Sequence, residues 1–274
     1  MKKTIFYIIS LMLILPILTV SALTTINQGT TKDFAVLAGS TITNTGSSTI
    51  NGDIGLYPGT SLINKEGITL DGTIHLTDSV ADVAKNDLTT AYNQVSGLLP
   101  VSRIATQLGG QTLKPGIYDS ADGTFNITGT LILDAEGDSN AIFIFKTSST
   151  LITATSSKIS LINNAQHCNV YWKVGSSATL GTNSNFVGHI YALSSITATT
   201  GAKIQGQLLA RDGAVTLDSN TIINTVCAVT TTVNGGELPN TSTNLYNMLI
   251  IGILMVTIGL SSLVINKRYV KNKK

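Results

Sequence analysis

Ser177-Ala178-Thr179-Leu180-Gly181-Thr182 returns one interval later as Ser195-Ile196-Thr197-Ala198-Thr199-Thr200. The same interval, eighteen positions, separates Phe186-Val187-Gly188-His189-Ile190 from Ile204-Gln205-Gly206-Gln207-Leu208, and Ile222-Ile223-Asn224 stands one interval further on. A fixed period of this kind marks a repeat architecture. Within each unit the apolar residues alternate over short runs broken by Gly and Asn, which is strand periodicity with corners. Three short strands and three corners make one coil of a parallel β-solenoid, and coils stack at about 4.8 Å. One coil cannot bury its apolar side chains; a stack can. The period predicts Phe186, Ile204 and Ile222 at one inward position, and Gly188 with Gly206 at one turn position.

Working outward, Ser40 to Gly46 followed by Ile50-Asn51-Gly52-Asp53-Ile54 parallels Ser194 to Leu208, so the N-terminal part is expected to join the same stack. Thr124 to Leu133 alternates, Ala141-Ile142-Phe143-Ile144-Phe145 has the pattern of a fully buried strand, and Thr150 to Ile162 opens the regular coils. Between the N-terminal phrase and these runs lies one helical segment, Asp78 to Gly97. Asp78 is its N-cap, and Val80, Val83, Ala84, Leu88, Ala91, Tyr92 and Val95 form its apolar stripe. Asp82, Lys85, Asn86 and Asn93 fall on other faces, and Leu98-Leu99-Pro100 ends it. The helix is expected to lie along the solenoid.

Charged residues make up 12% of the chain and hydrophobic ones 43%; Thr and Gly are abundant. That hydrophobic share supports a core despite the low charge, which argues against disorder. Seven of the 17 basic residues sit at the two ends, which hold no acid, so the middle carries ten bases against 15 acids, a balance of −5. A nucleic-acid partner is excluded by this balance and by the lack of a basic cluster.

The ends have the form of addresses. Lys2-Lys3, the apolar stretch Ile5 to Leu18 and Val20-Ser21-Ala22 make a secretory leader over residues 1–22. A second apolar run, 248–265, has the length of a membrane helix, and the basic tail 266–274 places the preceding chain outside the cell. Residues 229–247 form a polar spacer holding Leu238-Pro239-Asn240-Thr241-Ser242. With the run and the tail, this pentapeptide resembles a cell-wall sorting signal, in which a sortase joins the Thr to the wall; Ser242 stands where that motif has Gly. The expected alternatives are wall attachment through Thr241 and a retained membrane anchor.

Several phrases in order carry a more specific likeness: Phe34 to Gly39, Gly52 to Gly55, Leu113 to Tyr118, Leu131 to Asp134, Ala141 to Phe145, Cys168 to Ala178 and Leu208 to Leu217. Together they resemble the microbial ice-binding proteins, the ice-binding-like or DUF3494 family, over a domain placed at 23–228. The resemblance implies a mainly β fold: a discontinuous right-handed parallel β-solenoid of triangular section with one long helix alongside. It implies binding to an ice crystal surface; the residues themselves offer no catalytic motif, so no enzyme activity and no cofactor are expected.

Thr197-Ala198-Thr199-Thr200 matches the family's ice-face pattern T-A/G-x-T/N. Thr153-Ala154-Thr155-Ser156 departs only at its last residue, and Thr179-Leu180-Gly181-Thr182 has Leu at the small position. The expected face is therefore Thr153, Thr155, Ser156, Thr179, Thr182, Thr197, Thr199 and Thr200 on three coils. Asp218, one repeat interval beyond Thr200, is expected to end it. The chemistry needs Thr because stacked strands repeat outward residues as a flat grid, whose hydroxyls anchor water while methyls discourage disordered hydration. Thr is also stiff at its first side-chain torsion.

The alternative is a structural or adhesive module of the same fold binding glycan or protein. Polysaccharide lysis would need acids and bases gathered on one face. His75, His167 and His189 stand in no ligand spacing. Asp134, Glu136 and Asp138 share a turn that could take calcium, with solvated turn residues as the ordinary reading. Cys168 and Cys227 are the only cysteines; export favours a disulfide between them over two buried thiols.

Overall fold

The computed structural model describes residues 26–99, 101–225 and 227, and all of these belong to one compact unit that ends at Ala228. The leader, the spacer with its sorting-like pentapeptide, the apolar run 248–265 and the basic tail lie outside the described residues.

The strands form three parallel walls. The first wall is a seven-stranded sheet in the spatial order Phe125–Ile127, Leu151–Thr153, Ala178–Leu180, Ile196–Ala198, Val215–Asp218, Thr41–Thr45, Ser61–Ile63. The other two walls belong to one 15-stranded sheet, because Asn185–Ala192 and Lys203–Ala210 run without a break from the second wall into the third. Thr130–Asp134, Lys158–Ile162, Thr221–Ile223, Ser48–Asn51 and Ile68–Asp71 are further strands of the second wall. Ser102–Ile104, Gly116–Ser120, Phe143–Thr147, Val170–Val174, Phe34–Ala38, Asp53–Leu56 and Ile74–Leu76 complete the third.

Phe186, Ile204 and Ile222 are successive register partners and all buried, as the period requires. Gly188 and Gly206 are partners too, but they stand inside eight-residue strands, not in turns between strands. They bend those strands at φ +110° and +144°, and a Cβ on Gly206 would lie 2.1 Å from the Gly188 carbonyl oxygen. Only glycine turns this corner at the stacking distance.

The stack is discontinuous in sequence. Val215–Asp218 and Thr221–Ile223, the last described strands, pair with Thr41–Thr45 and Ser48–Asn51 from the other end of the chain. The third wall of that coil is supplied by the fully buried first strand, Phe34–Ala38, which sits between Lys203–Ala210 and Asp53–Leu56. Buried polar groups knit this join. Ser48 Oγ donates to Asn44 Oδ1 (2.7 Å), the Asn220 amide donates to Ser48 Oγ (3.0 Å), and Asn220 Nδ2 donates to the Thr199 carbonyl (2.9 Å). Satisfied groups of this kind specify register, since a slip would leave each of them unpaired in the core.

The inner core is aliphatic with an aromatic ladder at one end. Tyr118, Phe145 and Trp172 are register partners, and the last two rings stack with centroids 4.0 Å apart. Trp172 Nε1 donates to the Val187 carbonyl (3.0 Å), so its polar edge is satisfied.

Among the described residues there is one α-helix, α1 (Ser79–Gly97), capped by Asp78, whose Oδ1 accepts from the Ala81 amide (2.8 Å). Its Ala84, Leu88, Ala91, Tyr92 and Val95 pack on Phe34, Leu37, Ile144, Tyr171, Tyr191 and Leu209 of the third wall. Two expectations fail here. Val80 and Val83 are exposed, and Lys85 is buried. The buried face runs through Ala81, Ala84, Lys85, Leu88, Ala91, Tyr92 and Val95, and Lys85 belongs to it because its ammonium reaches the Ala210 (2.6 Å) and Arg211 carbonyls of the wall. The stem fills apolar space while the head finds oxygen.

Candidate functional site

The three walls offer different surfaces. The third is covered by α1. The second carries Asp134, Lys158, Lys203 and Asp71 within its strands. The seven strands of the first wall contain a single charged residue, Asp218. Side chains alternate in and out along each of these strands, so a residue's direction follows from its register.

Pairing across the first wall defines one outward row: Asn126, Ile152, Thr179, Thr197, Thr216, Thr43, Ile63. Its inward neighbours Leu151, Ala178, Ile196, Val215 and Ile42 are buried. Beside the row, at the entry to the wall, further hydroxyls bond from coil to coil. Thr124 Oγ1 lies 3.2 Å from Thr150 Oγ1, Ser177 Oγ accepts from the Ser195 amide (3.3 Å), and Ser195 Oγ accepts from the Ala214 amide (3.1 Å).

Thr179 and Thr197 occupy the central row. Thr155, Thr182 and Thr200 each stand three positions beyond a row member, at the far edge of the wall. Thr182 Oγ1 lies 3.3 Å from Thr199 Oγ1, Thr199 Oγ1 donates to the Leu180 carbonyl (2.7 Å), and Thr200 Oγ1 donates to Asp218 Oδ2 (2.5 Å). The hydroxyls of Thr182, Thr199 and Thr200 are thus engaged within the protein, while Thr155 is exposed. Among the described residues, no intramolecular hydrogen bond takes up the hydroxyls of Thr179, Thr197, Thr216 and Thr43.

Three sequence expectations are corrected by the register. Thr153 is not on the face: it is 4% exposed, points inward, and its Oγ1 accepts from the Gly181 amide (2.8 Å). The coil that starts at Leu151 is longer than the repeat interval, Leu151 pairing with Ala178, and the outward position falls on Ile152. A one-residue slip reverses every side chain of a strand. Ser156 is a corner residue at φ +57° and does not belong to a strand. Asp218 stands beside Thr200 at the far edge, as its spacing requires, but the central row does not stop there: Thr197 pairs with Thr216, one position beyond the repeat interval, and the row continues to Thr43. A fixed interval misses both of these threonines; the N-terminal phrase Thr41-Ile42-Thr43 is the signal that points to the second.

Cys168 and Cys227 form a disulfide, with Cα atoms 5.9 Å apart. Asp134 Oδ1 accepts from the Glu136 amide and from Asn163 Nδ2 (both 2.8 Å), Asp138 Oδ1 accepts from the Asn140 amide (2.8 Å), and Glu136 pairs with Lys114 at 2.5 Å. These carboxylates stabilise their turn. Among the described residues no group of three His, Cys, Asp or Glu side chains is placed to hold a metal ion. His75 pairs with Asp78 (2.8 Å) at the start of α1. His189 is enclosed, and burial pulls its imidazole down to about 4, leaving it neutral in ordinary buffers.

The family model described as "Ice-binding-like" matches residues 36–223. An ice-binding protein of Nostoc sp. (strain HG1) is 46% identical over 198 residues, covering 72% of this chain and 73% of its own. Ice-binding protein 1 of Shewanella frigidimarina is 35% identical over 71% of this chain, which spans 25% of that longer relative. A crystal structure of an ice-binding protein from an Antarctic biological consortium superposes with a TM-score of 0.73 at 43% identity, covering 77% of this chain and 95% of that one. One from the Antarctic ascomycete Antarctomyces psychrotrophicus gives 0.71 at 37% identity, covering 74% and 100%. A walled parallel solenoid with a helix along one side is thus common ground for sequence and structure, and the chain belongs to the ice-binding-like family.

Proposed function

We propose that this protein binds ice through its first wall and does so outside the cell. The observation that carries the reading is the run Thr179, Thr197, Thr216, Thr43: four threonines in parallel register on a wall that no described element covers, each with a hydroxyl that no described residue engages. Adjacent members are one strand spacing apart, so the run extends about 14 Å along the solenoid axis. Their methyls disfavour disordered hydration and their hydroxyls hold water at fixed intervals, so that the bound layer can merge with a crystal plane. Ice between adsorbed molecules then grows as curved fronts, which lowers the local freezing point. The relatives named ice-binding proteins support the ligand; the wall supplies the means.

The unit 26–228 contains its own core and disulfide and can be studied alone. Thr197→Tyr, at the middle of the run, is expected to abolish inhibition of ice recrystallisation while circular dichroism and melting temperature stay at parent values. Full inhibition by a folded Thr197→Tyr protein would remove this wall from consideration and favour a structural or adhesive role.

Display outside the cell rests on the leader, the polar spacer, the apolar run and the basic tail, with attachment through Thr241 to the wall or through a retained membrane helix. Protease added to intact cells is expected to remove the domain; protection of the domain until lysis would sink this part of the proposal.

A further inference from the structure

The row of unengaged threonines stops at an isoleucine on each side. Ile152 is the register partner of Thr179 and Ile63 of Thr43, and they are 44% and 50% exposed. Large aliphatic side chains pointing into water from an otherwise hydroxylated wall bury little within the protein. Both are β-branched like Thr and share its γ-methyl group. Where Thr carries a hydroxyl they carry an ethyl group, which binds no water and stands higher above the wall.

Ile152 also interrupts a coil that is otherwise complete. Thr150 lies before it, Thr155 stands three positions after it, and Asn126 follows it on the next coil of the stack. We infer that Ile152 and Ile63 set the length of the ice-contact row, and with it the strength of ice adsorption. This inference rests on the first wall being the ice-binding surface.

The physical argument is one of simultaneous anchoring. A molecule held by several waters of one ice plane leaves only when all of those contacts are lost together, so each added rung in register lengthens residence more than proportionally. Converting both isoleucines would lengthen the threonine run from four rungs to six, from about 14 Å to about 24 Å at the usual strand spacing. The change suits the strand, because Thr retains branching at Cβ.

The test measures thermal hysteresis for the parent unit and for Ile152→Thr, Ile63→Thr, the double variant, Ile152→Val and Thr197→Tyr. Folding is checked by melting temperature in each case. Ile152→Thr is expected to raise hysteresis about twofold at equal concentration, and the double variant to exceed either single one. Ile152→Val removes bulk without adding a hydroxyl and is expected to stay near the parent. Unchanged or reduced activity in folded Ile152→Thr and Ile63→Thr, alongside loss in Thr197→Tyr, would overturn the inference and leave the proposed function standing. A gain in Ile152→Val equal to that in Ile152→Thr would overturn the role given to the hydroxyl. No effect of Thr197→Tyr would instead remove the reading on which the inference rests.

Discussion

Lys85 joins α1 to the third wall through its Nζ, which donates to the carbonyls of Ala210 and Arg211. Burial pulls its ammonium down to about 8, against 10.5 for an exposed lysine, with Arg211 adding to the fall and Asp212 opposing it. Between those values the unfolded chain holds a proton that the folded one has released, so this group's contribution to stability rises with pH across 8 to 10.5 and is smallest below 8. A neutral amine still has two N–H groups, enough for both carbonyls. Lys85→Met would keep the packing of the stem and leave both carbonyls without this donor, a cost of about 1–3 kcal/mol. Denaturant unfolding across this range is therefore expected to show the parent gaining on the variant as pH rises. Buried tyrosines such as Tyr171, pushed up to about 12, act in the opposite direction above pH 10, but they are common to both proteins and cancel in the comparison. A stability difference that stays constant from pH 8 to 10.5 would rule out this linkage.

At the scale of the element, legibility in the sequence depends on coils of equal length. Ala178–Leu180 and Ile196–Ala198 are one repeat interval apart, as are Asn185–Ala192 and Lys203–Ala210, and the strand phase transfers between them without error. The helix is legible because its cap and its three-and-four spacing are local. Its misplaced residues follow from treating Val as buried and Lys as exposed by type: the wall presents two carbonyls where Lys85 meets it, and Val80 and Val83 fall outside the face that runs through Ala81, Ala84 and Leu88. The face is legible only in part. Leu151–Thr153 begins a longer coil whose extra residues include the 3-10 turn His167–Asn169, and Val215–Asp218 follows an interval one position longer than the repeat. Each change of length shifts the in–out alternation relative to a fixed period. Matching the family pattern by type places Thr153 outward without regard to the longer coil, and a fixed period leaves out Thr216 and Thr43, which share the row. Threonine type alone does not separate hydroxyls spent on the protein, as in Thr199 and Thr200, from those left to water.

At the scale of the whole unit, the decisive feature is that the proposed contact row crosses a join that the described chain does not bridge locally. Thr216 and Thr43 are strand partners although they come from opposite ends of the domain. Their pairing depends on Phe34–Ala38 closing the last coil and on the chain beyond Ile223 being held. Asn224 Nδ2 donates to the Lys32 carbonyl (2.8 Å), His167 Nε2 lies 2.8 Å from the Thr225 carbonyl oxygen, and Cys227 is bonded to Cys168. The disulfide closes a loop with a sequence separation of 59. In the chain-entropy model such a loop stabilises by roughly 4 kcal/mol. For a unit of this size that corresponds to a melting shift of about 10 °C. Cys168→Ser/Cys227→Ser is therefore expected to melt about 10 °C below the parent. Hydrogen exchange should then rise first in 41–51 and 215–223, the two sides of the join, because the staple acts there and the contiguous coils from Leu151 to Ala210 keep their own connections. Ice recrystallisation inhibition just below freezing should persist while the join stays closed, and fall with that loss of protection as samples are pre-warmed. If exchange in 41–51 and 215–223 stays at parent values while the melting point drops, the disulfide stabilises some other part of the unit and the join does not control the contact row.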